Sequence, residues 1–391
     1  MDNNPTTFIY DVVIVGGGPS GVACGIQLQK SGINNCIIDK AVFPRKKLCG
    51  GLITEKTYNL LSDLCDHNEA VFSPAIRQNA CSVAIYSENT KLATATPKTN
   101  IRIADRECLD NCLLDFYKSL GGKVFEDKKV SALMLSESAV LTSDGDRFCF
   151  NYLIAADGVN SIIRAKTGKK IDSLGLCLET EVMTSPSFIK QGEIQIHFGV
   201  IKNGYSWVFP NGNSYKIGFG NTYKKHNPYK EQFIAYLNML GISDESTCRI
   251  EGSFIPYGGC MTNPTFNDNV FFVGDAAGMV DPLYGEGLYY AYVTGCSAAD
   301  SISHYSDNAA KHYAKSTEKV VRQIRSCVYI KRFFFSPFIQ KQFKKHIKGR
   351  NRFLSFYVDF QISRYSYDFV HFYKLFVDYK TKYKKEYMDC L

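Results

Sequence analysis

Residues Phe8 to Lys40 read FIYDVVIVGGGPSGVACGIQLQKSGINNCIIDK, and this stretch decides the fold. The first eight residues are a β-rich apolar run of the kind buried in a parallel sheet. The run empties into Gly16-Gly17-Gly18-Pro19-Ser20-Gly21, after which Val22, Ala23, Ile26 and Leu28 follow in a helical stretch that ends near Ser31-Gly32. A second β-rich run, Cys36 to Ile38, ends on Asp39. Three glycines at this spacing are a weak signal alone. Strand, glycine turn, helix, strand and acid in this order make a dinucleotide-binding βαβ unit. Gly16 allows the tight turn, Gly18 lets a pyrophosphate approach the backbone, and Gly21 lets helix and strand pack closely. The helix N-terminus offers unpaired N–H groups and a positive dipole end to the phosphates, and Asp39 can accept from ribose hydroxyls. Ser20 in the turn and Lys40 beside the acid complete this candidate cofactor-binding set.

Two more strand ends carry the same chemistry. Tyr152 to Ala156 runs into Asp157-Gly158, and Val270 to Val273 runs into Gly274-Asp275, followed by Pro282 and Gly285-Glu286-Gly287. Open α/β sheets bind ligands at the carboxyl ends of their strands. An Asp there is commonly just a helix cap, but three such sites in one chain are better explained by one extended cofactor that they share.

Composition excludes other classes. At 391 residues, with 45% hydrophobic and 21% charged, the chain is too long for one minimal core and too apolar for disorder. No basic segment precedes an apolar stretch at the N-terminus, and no run of about 18 apolar residues occurs, so neither a secretory signal nor a spanning helix is expected. Fourteen cysteines and seven histidines are scattered without zinc-binding spacing, which points to a reduced, cytoplasmic protein without metal. The net charge of +8 is uneven: Arg322 to Leu391 holds 16 Lys/Arg against 5 Asp/Glu, and the 62 residues from Ile330 onward hold 18 of the 53 aromatics.

The N-terminal fingerprint, the Asp-Gly site and the Gly-Asp site, in this order, resemble the FAD-binding fold of p-hydroxybenzoate-hydroxylase type. Three additional stretches are similar to its geranylgeranyl reductase branch: Phe43-Pro44-Arg45-Lys46-Lys47-Leu48-Cys49-Gly50-Gly51, then Tyr205-Ser206-Trp207-Val208-Phe209-Pro210 with Gly218-Phe219-Gly220, and Ile255-Pro256-Tyr257-Gly258-Gly259. The resemblance spans roughly residues 8 to 300. It implies FAD as cofactor, with Arg45 and Arg106 along it, Asp275 on the ribityl chain, and the helix after Gly287 aimed at the flavin. It also implies that Cys49, Gly50 and Gly51 lie at the ring as the candidate catalytic residues, with the Cys49 thiol contacting flavin or substrate. In a strand, Tyr205, Trp207 and Phe209 share one face, and with Pro210 they are the expected substrate wall.

The expected architecture is an α/β FAD-binding Rossmann-like domain with an inserted antiparallel β-sheet substrate domain and a helical C-terminal segment. The FAD-binding part takes 1–75, 100–170 and 250–305, the substrate part 76–99 and 171–249, and the basic, aromatic-rich helical region 306–391. Hairpins are expected at 80–97 and 140–150, and a helix at 229–240. In the tail, Pro337 interrupts a helix, and Phe353, Phe356, Tyr357 and Phe360 fall on one face. Lys341, Lys344, Lys345, Lys348, Arg350 and Arg352 cluster beside them, a pattern that suits peripheral contact with the inner face of a membrane. No nucleic-acid module accompanies the charge. The function implied is FAD-dependent reduction of carbon–carbon double bonds in an isoprenoid or similarly apolar lipid, with electrons from NAD(P)H or ferredoxin. The alternative is a class A flavin monooxygenase that hydroxylates or epoxidises an apolar or aromatic small molecule.

Overall fold

The computed structural model describes residues 5–183, 190, 192–242 and 249–363. Strand β1 (Thr7–Val15), helix α1 (Pro19–Lys30) and strand β2 (Asn35–Ile38) form the expected unit, with β1 and β2 parallel from Val12 opposite Asn35 to Val15 opposite Ile38. Neighbours on both faces bury Val12, Val13 and Ile14 completely, which is why this run is apolar without alternation. Lys123–Phe125 continues the parallel sheet beyond β2, and Arg147–Ala155 followed by Val270–Phe272 continues it beyond β1. Because these strands are parallel, the three glycine–acid turns all open on one edge of the sheet.

Two close approaches set the geometry of that edge. A Cβ on Gly21 would lie 1.9 Å from the Gly16 carbonyl oxygen, so only glycine lets α1 sit this near the turn. Across from it, helix Leu288–His304 packs on α1 through Gly295, where a Cβ would lie 2.2 Å from the Ser20 carbonyl oxygen.

A second sheet has seven strands in the order Glu251–Ile255, Gly175–Val182, Ser214–Thr222, Gly204–Asn211, Glu193–Phe198, Ser82–Ser87 and Thr90–Ala95. It departs from the wholly antiparallel sheet expected: Glu193–Phe198 and Ser82–Ser87 pair in parallel. Alternating hydrophobicity marks a strand's faces but not its direction, and direction here follows from a hairpin entering from a distant part of the chain. Glu251–Ile255, expected with the cofactor-binding segments, is the edge strand of this second sheet. The hairpins at 82–95 and 139–155 and the helix Tyr229–Met239 lie where the sequence predicts them.

One face of the second sheet packs Val208, Ile217 and Phe219 against Phe233 of helix Tyr229–Met239. The opposite face looks into a cavity. Helices Ala309–Phe334, Pro337–Ile347 and Asn351–Ser363 complete the described chain, with Pro337 opening the second of them, where its missing N–H costs nothing. The last helix covers the exposed edge of Thr90–Ala95. Asn351, Ser355 and Asp359, one turn apart, accept from the N–H groups of Thr94 (2.9 Å), Thr96 (2.8 Å) and Thr99 (2.9 Å). The Phe360 side chain and residues 364–391 lie outside the described residues.

Replacing Gly295 by Ala forces a methyl group into the Ser20 backbone and is expected to cost about 1–3 kcal/mol. Thermal unfolding of the variant beside the parent checks this.

Candidate active site

A cavity of about 1440 Å³ lies between the parallel sheet and the seven-stranded sheet. Gly16, Gly18, Ser20, Asp39, Lys40, Arg45, Asp157, Gly158, Asp275, Gly285 and Gly287 all line it, together with Arg106 and Cys49-Gly50-Gly51. Tyr205, Trp207 and Phe209 line it from the second sheet. Segments far apart in sequence thus meet in one space. Four predicted site residues do not line it. Gly21 is occupied in packing α1, as its spacing implied, and Gly274 faces Ser20, whose Oγ would lie 2.8 Å from a Cβ placed there. Pro282 lies beside the lining residue Leu283 without lining the cavity itself, and Pro210 pairs with Tyr215 in the sheet.

At the first turn, Asp39 is fixed by the backbone: Oδ2 accepts from Gly17 N–H at 2.7 Å and Oδ1 from Ala41 N–H at 2.8 Å. α1 has no side-chain cap, so its first N–H groups face the cavity. A Cβ on Gly18 would meet no protein atom closer than Arg45 Nη2 at 3.5 Å, so what this glycine leaves open is space in the cavity. Arg45 stacks on the Phe43 ring at 4.9 Å and pairs with Asp110 at 3.6 Å. Arg106 is buried and holds Asp110 through Nε at 3.0 Å and Nη2 at 2.9 Å. Burial alone would depress this guanidinium, but Asp110, then Cys49 and Tyr292, raise it above its ordinary value.

At the second turn, Asp157 Oδ2 accepts from the N–H groups of Ile162 (2.7 Å) and Ile163 (3.2 Å), so it does cap a helix. Its Oδ1 is buried with no hydrogen-bond partner among the described residues, and burial raises its pKa. At the third, Asp275 Oδ1 lies 3.6 Å from the position of a Gly287 Cβ, beside the uncapped start of helix Leu288–His304. Burial raises the Asp275 carboxyl, opposed by Lys47, Arg106 and Arg164. An open glycine, two uncapped helix starts, an orphaned carboxylate oxygen and two arginines suit the phosphates and hydroxyls of a dinucleotide.

The Cys49-Gly50-Gly51 loop rests on the aromatic wall. A Gly50 Cβ would lie 2.6 Å from the Phe209 ring and 3.6 Å from Trp207 Nε1, so the missing side chain permits the contact. Gly51 has φ +79°, and a Cβ there would meet the Ala104 carbonyl oxygen at 2.1 Å.

The chain matches the sequence profile described as FAD binding domain over residues 9–295. It belongs to that family of FAD-binding proteins. A second profile, lycopene cyclase protein, matches residues 223–369. An uncharacterised protein of Methanosarcina barkeri is 30% identical over 83% of this chain and 84% of its own length. A digeranylgeranylglycerophospholipid reductase of Methanococcus vannielii is 27% identical over 78% of this chain and 81% of its own. A geranylgeranyl bacteriochlorophyll reductase-like crystal structure from Thermoplasma acidophilum superposes with a TM-score of 0.76 at 18% identity, covering 98% of this chain and 100% of that one. The shared fold pairs an FAD-binding part with mixed sheets and C-terminal helices. The chain is thus a flavoprotein of the FAD-binding family, and the relatives it resembles include reductases of geranylgeranyl type, in line with its motifs.

Several functional residues escaped the sequence reading. Lys56, fully buried on a helix, donates to Glu286 Oε2 at 2.5 Å, and Thr54 donates to Oε1 at 3.1 Å. These bonds fix the Gly285-Glu286-Gly287 turn. Glu179 was missed as well. It sits on Gly175–Val182, and burial pushes it up to about 7, against the pull of Lys216 and the Trp207 N–H. In this strand Cys177 and Glu179 share the face opposite Leu176 and Leu178, and the sequence carries no sign that this face is covered. Among the described residues, no group of three or more His, Cys, Asp or Glu could hold a metal ion.

Gly18→Ala is expected to keep the fold and thermal stability of the flavin-free protein while lowering FAD content severalfold. Gly21→Ala is expected to lose the fold itself. Flavin absorbance per protein, read beside circular dichroism, separates the two.

Proposed function

We propose that this chain is an FAD-dependent reductase that saturates carbon–carbon double bonds in an isoprenoid or a similarly apolar lipid. The observation that carries this reading is the cavity. Its volume exceeds the roughly 300–1,000 Å³ of a pocket for one small ligand, and the part away from the dinucleotide turns is hydrocarbon-lined. Ile194, Ile196, Phe198, Phe343, Ile347 and Leu354 contribute to it, and among the described residues the only charged lining residue on the second sheet and the C-terminal helices is Glu179. Such walls offer few hydrogen bonds to a polar aromatic substrate and suit a flexible hydrocarbon chain. The name of the Methanococcus relative, a reductase of a digeranylgeranyl lipid, supports the same substrate class.

Gly16, Gly18, Asp39, Arg45, Arg106, Asp157 and Asp275 would hold FAD, with Gly285 and Gly287 beside its ring. Bound and reduced by NAD(P)H or a ferredoxin, FAD supplies the hydride. The protein does the rest. Lys56 and Thr54 hold Glu286 and with it the turn that opens helix Leu288–His304, whose positive end favours negative charge in the cavity. Gly50 and Gly51 carry the backbone past the reacting region, and Cys49 presents its thiol there. Tyr205, fixed by donation to the Tyr284 carbonyl oxygen, joins Trp207 and Phe209 in excluding water. In this reading, 1–75 and 100–170 with 256–305 form the cofactor-binding part. The second sheet, with Glu251–Ile255 included, and the C-terminal helices form the substrate part.

The test is to photoreduce the bound flavin without oxygen and then add polyprenyl lipids. Reoxidation matched by a saturated product is expected. A flavin that stays reduced with every polyprenyl compound, but reoxidises with oxygen while hydroxylating a small aromatic, would reverse the reading.

The C-terminal helices also support contact with an anionic bilayer. Residues 319–358 hold eleven Lys and Arg and no Asp or Glu. Tyr329, Phe333 and Phe338 stand 72%, 66% and 68% exposed on helices whose inner faces line the cavity through Ile330, Phe334 and Phe343. Aromatics that enter the interface beside basic residues that meet lipid phosphates are the pattern of a surface-bound helix. Among the described residues no helix is long and apolar enough to cross a membrane. Sedimentation with vesicles containing phosphatidylglycerol is expected at low salt, to weaken with salt, and to be lost when Tyr329, Phe333 and Phe338 are replaced by Ser. Turnover of a short detergent-dissolved isoprenoid should survive that change.

A further inference from the structure

Saturating an alkene requires a hydride at one carbon and a proton at the other, and the cavity holds a carboxyl placed to give that proton. Glu179 is 6% exposed and lines the hydrocarbon part. Its strand is paired so that Glu179 faces Gly218 on one side and Glu251 on the other, and Gly218 in turn faces Trp207 on the next strand. Gly218 is therefore the one position between the acid and the indole. A Cβ there would lie 2.4 Å from Trp207 Cζ2, so the glycine leaves a slot through which the indole reaches across. Trp207 Nε1 donates to Glu179 Oε2 at 3.2 Å, and the same nitrogen lies 3.6 Å from the position of a Gly50 Cβ. The acid is thus tethered beside the Cys49-Gly50-Gly51 loop.

We propose that Glu179, held by Trp207 across Gly218, is the proton donor of the reaction. This rests on the reductase reading above. The π bond is consumed and two C–H bonds form, one with hydride from the reduced cofactor and one with the Glu179 proton. The cofactor is left oxidised, and Glu179 is left as a carboxylate that regains its proton from water. Burial pushes the acid up to about 7 against Lys216 and the Trp207 N–H, while Glu181 and Glu251 favour the neutral form, and the Cys177 thiol is an ionisable neighbour on its own strand. A protonated carboxyl is required, so turnover should fall as pH rises through about 7.

Trp207 is the only tryptophan in the chain, so its emission reports directly on the partner of its N–H. In the FAD-loaded full-length protein, emission excited at the indole should titrate with a midpoint near 7, and Glu179→Gln should abolish that titration while FAD content stays unchanged. The same variant is expected to slow product formation by about 10²–10⁴-fold and to remove the alkaline limb. Gly218→Ala, which displaces the indole but leaves the acid, should shift the limb upward, because the N–H that favours the carboxylate is lost. If Glu179→Gln turns over like the parent, or if Cys49→Ala instead removes the limb, the assignment is overturned and the reductase reading stands. If the emission titrates but no polyprenyl lipid reoxidises the flavin in the parent, the reductase reading fails and the donor role fails with it.

Discussion

Two backbone contacts that exclude a Cβ govern this molecule. Gly21 over the Gly16 carbonyl brings α1 down onto the first turn, and Gly295 against the Ser20 carbonyl brings helix Leu288–His304 down onto α1. Neither Gly21 nor Gly295 lines the cavity, yet their partners Gly16 and Ser20 do, and both contacts decide what else lines it. They draw two helix starts, both without side-chain caps, to the edge where three parallel strands end on acids. Ligand chemistry then follows from position, because the uncapped N–H groups and the orphaned Asp157 Oδ1 have the cavity in which to find partners.

The second sheet works by a different rule. Its outer face is an ordinary core closed by a helix, while its inner face is only partly covered by the C-terminal helices and the Gly50 loop, so side chains that would be core elsewhere become lining. Polar anchoring is kept to the margins. Lys56 and Thr54 hold Glu286 at one side, and Trp207 holds Glu179 on the wall. The remainder is hydrocarbon. A charged partner admitted deeper would have to give up its water without compensation.

Much of this was legible in the residues, and the reason is local. The βαβ unit, both hairpins, the helix at Tyr229–Met239 and the break at Pro337 each follow from spacing, glycine or proline within a short window. Gly18, Gly50 and Gly51, singled out in the sequence, all line the cavity, where Gly50 and Gly51 mark close protein contacts and Gly18 leaves open space. What could not be read was long-range. The parallel pairing of Glu193–Phe198 with Ser82–Ser87, and the transfer of Glu251–Ile255 to the second sheet, depend on how distant segments meet. Lys56 in a helix and Glu179 in an alternating strand both look like surface charges. Only the partner brought to each face shows that they are buried.

The helix Asn351–Ser363 has a double duty. Its polar ladder satisfies the last strand of the seven-stranded sheet, while Phe353, Leu354 and Tyr357 close the hydrocarbon chamber. A polypeptide stopping short of this helix would bare a hungry β-edge and a greasy interior in a single stroke, and such edges recruit other chains. Resistance to self-association and closure of the apolar cavity are therefore wired to the same thirteen residues, so evolution cannot trim one without imperilling the other.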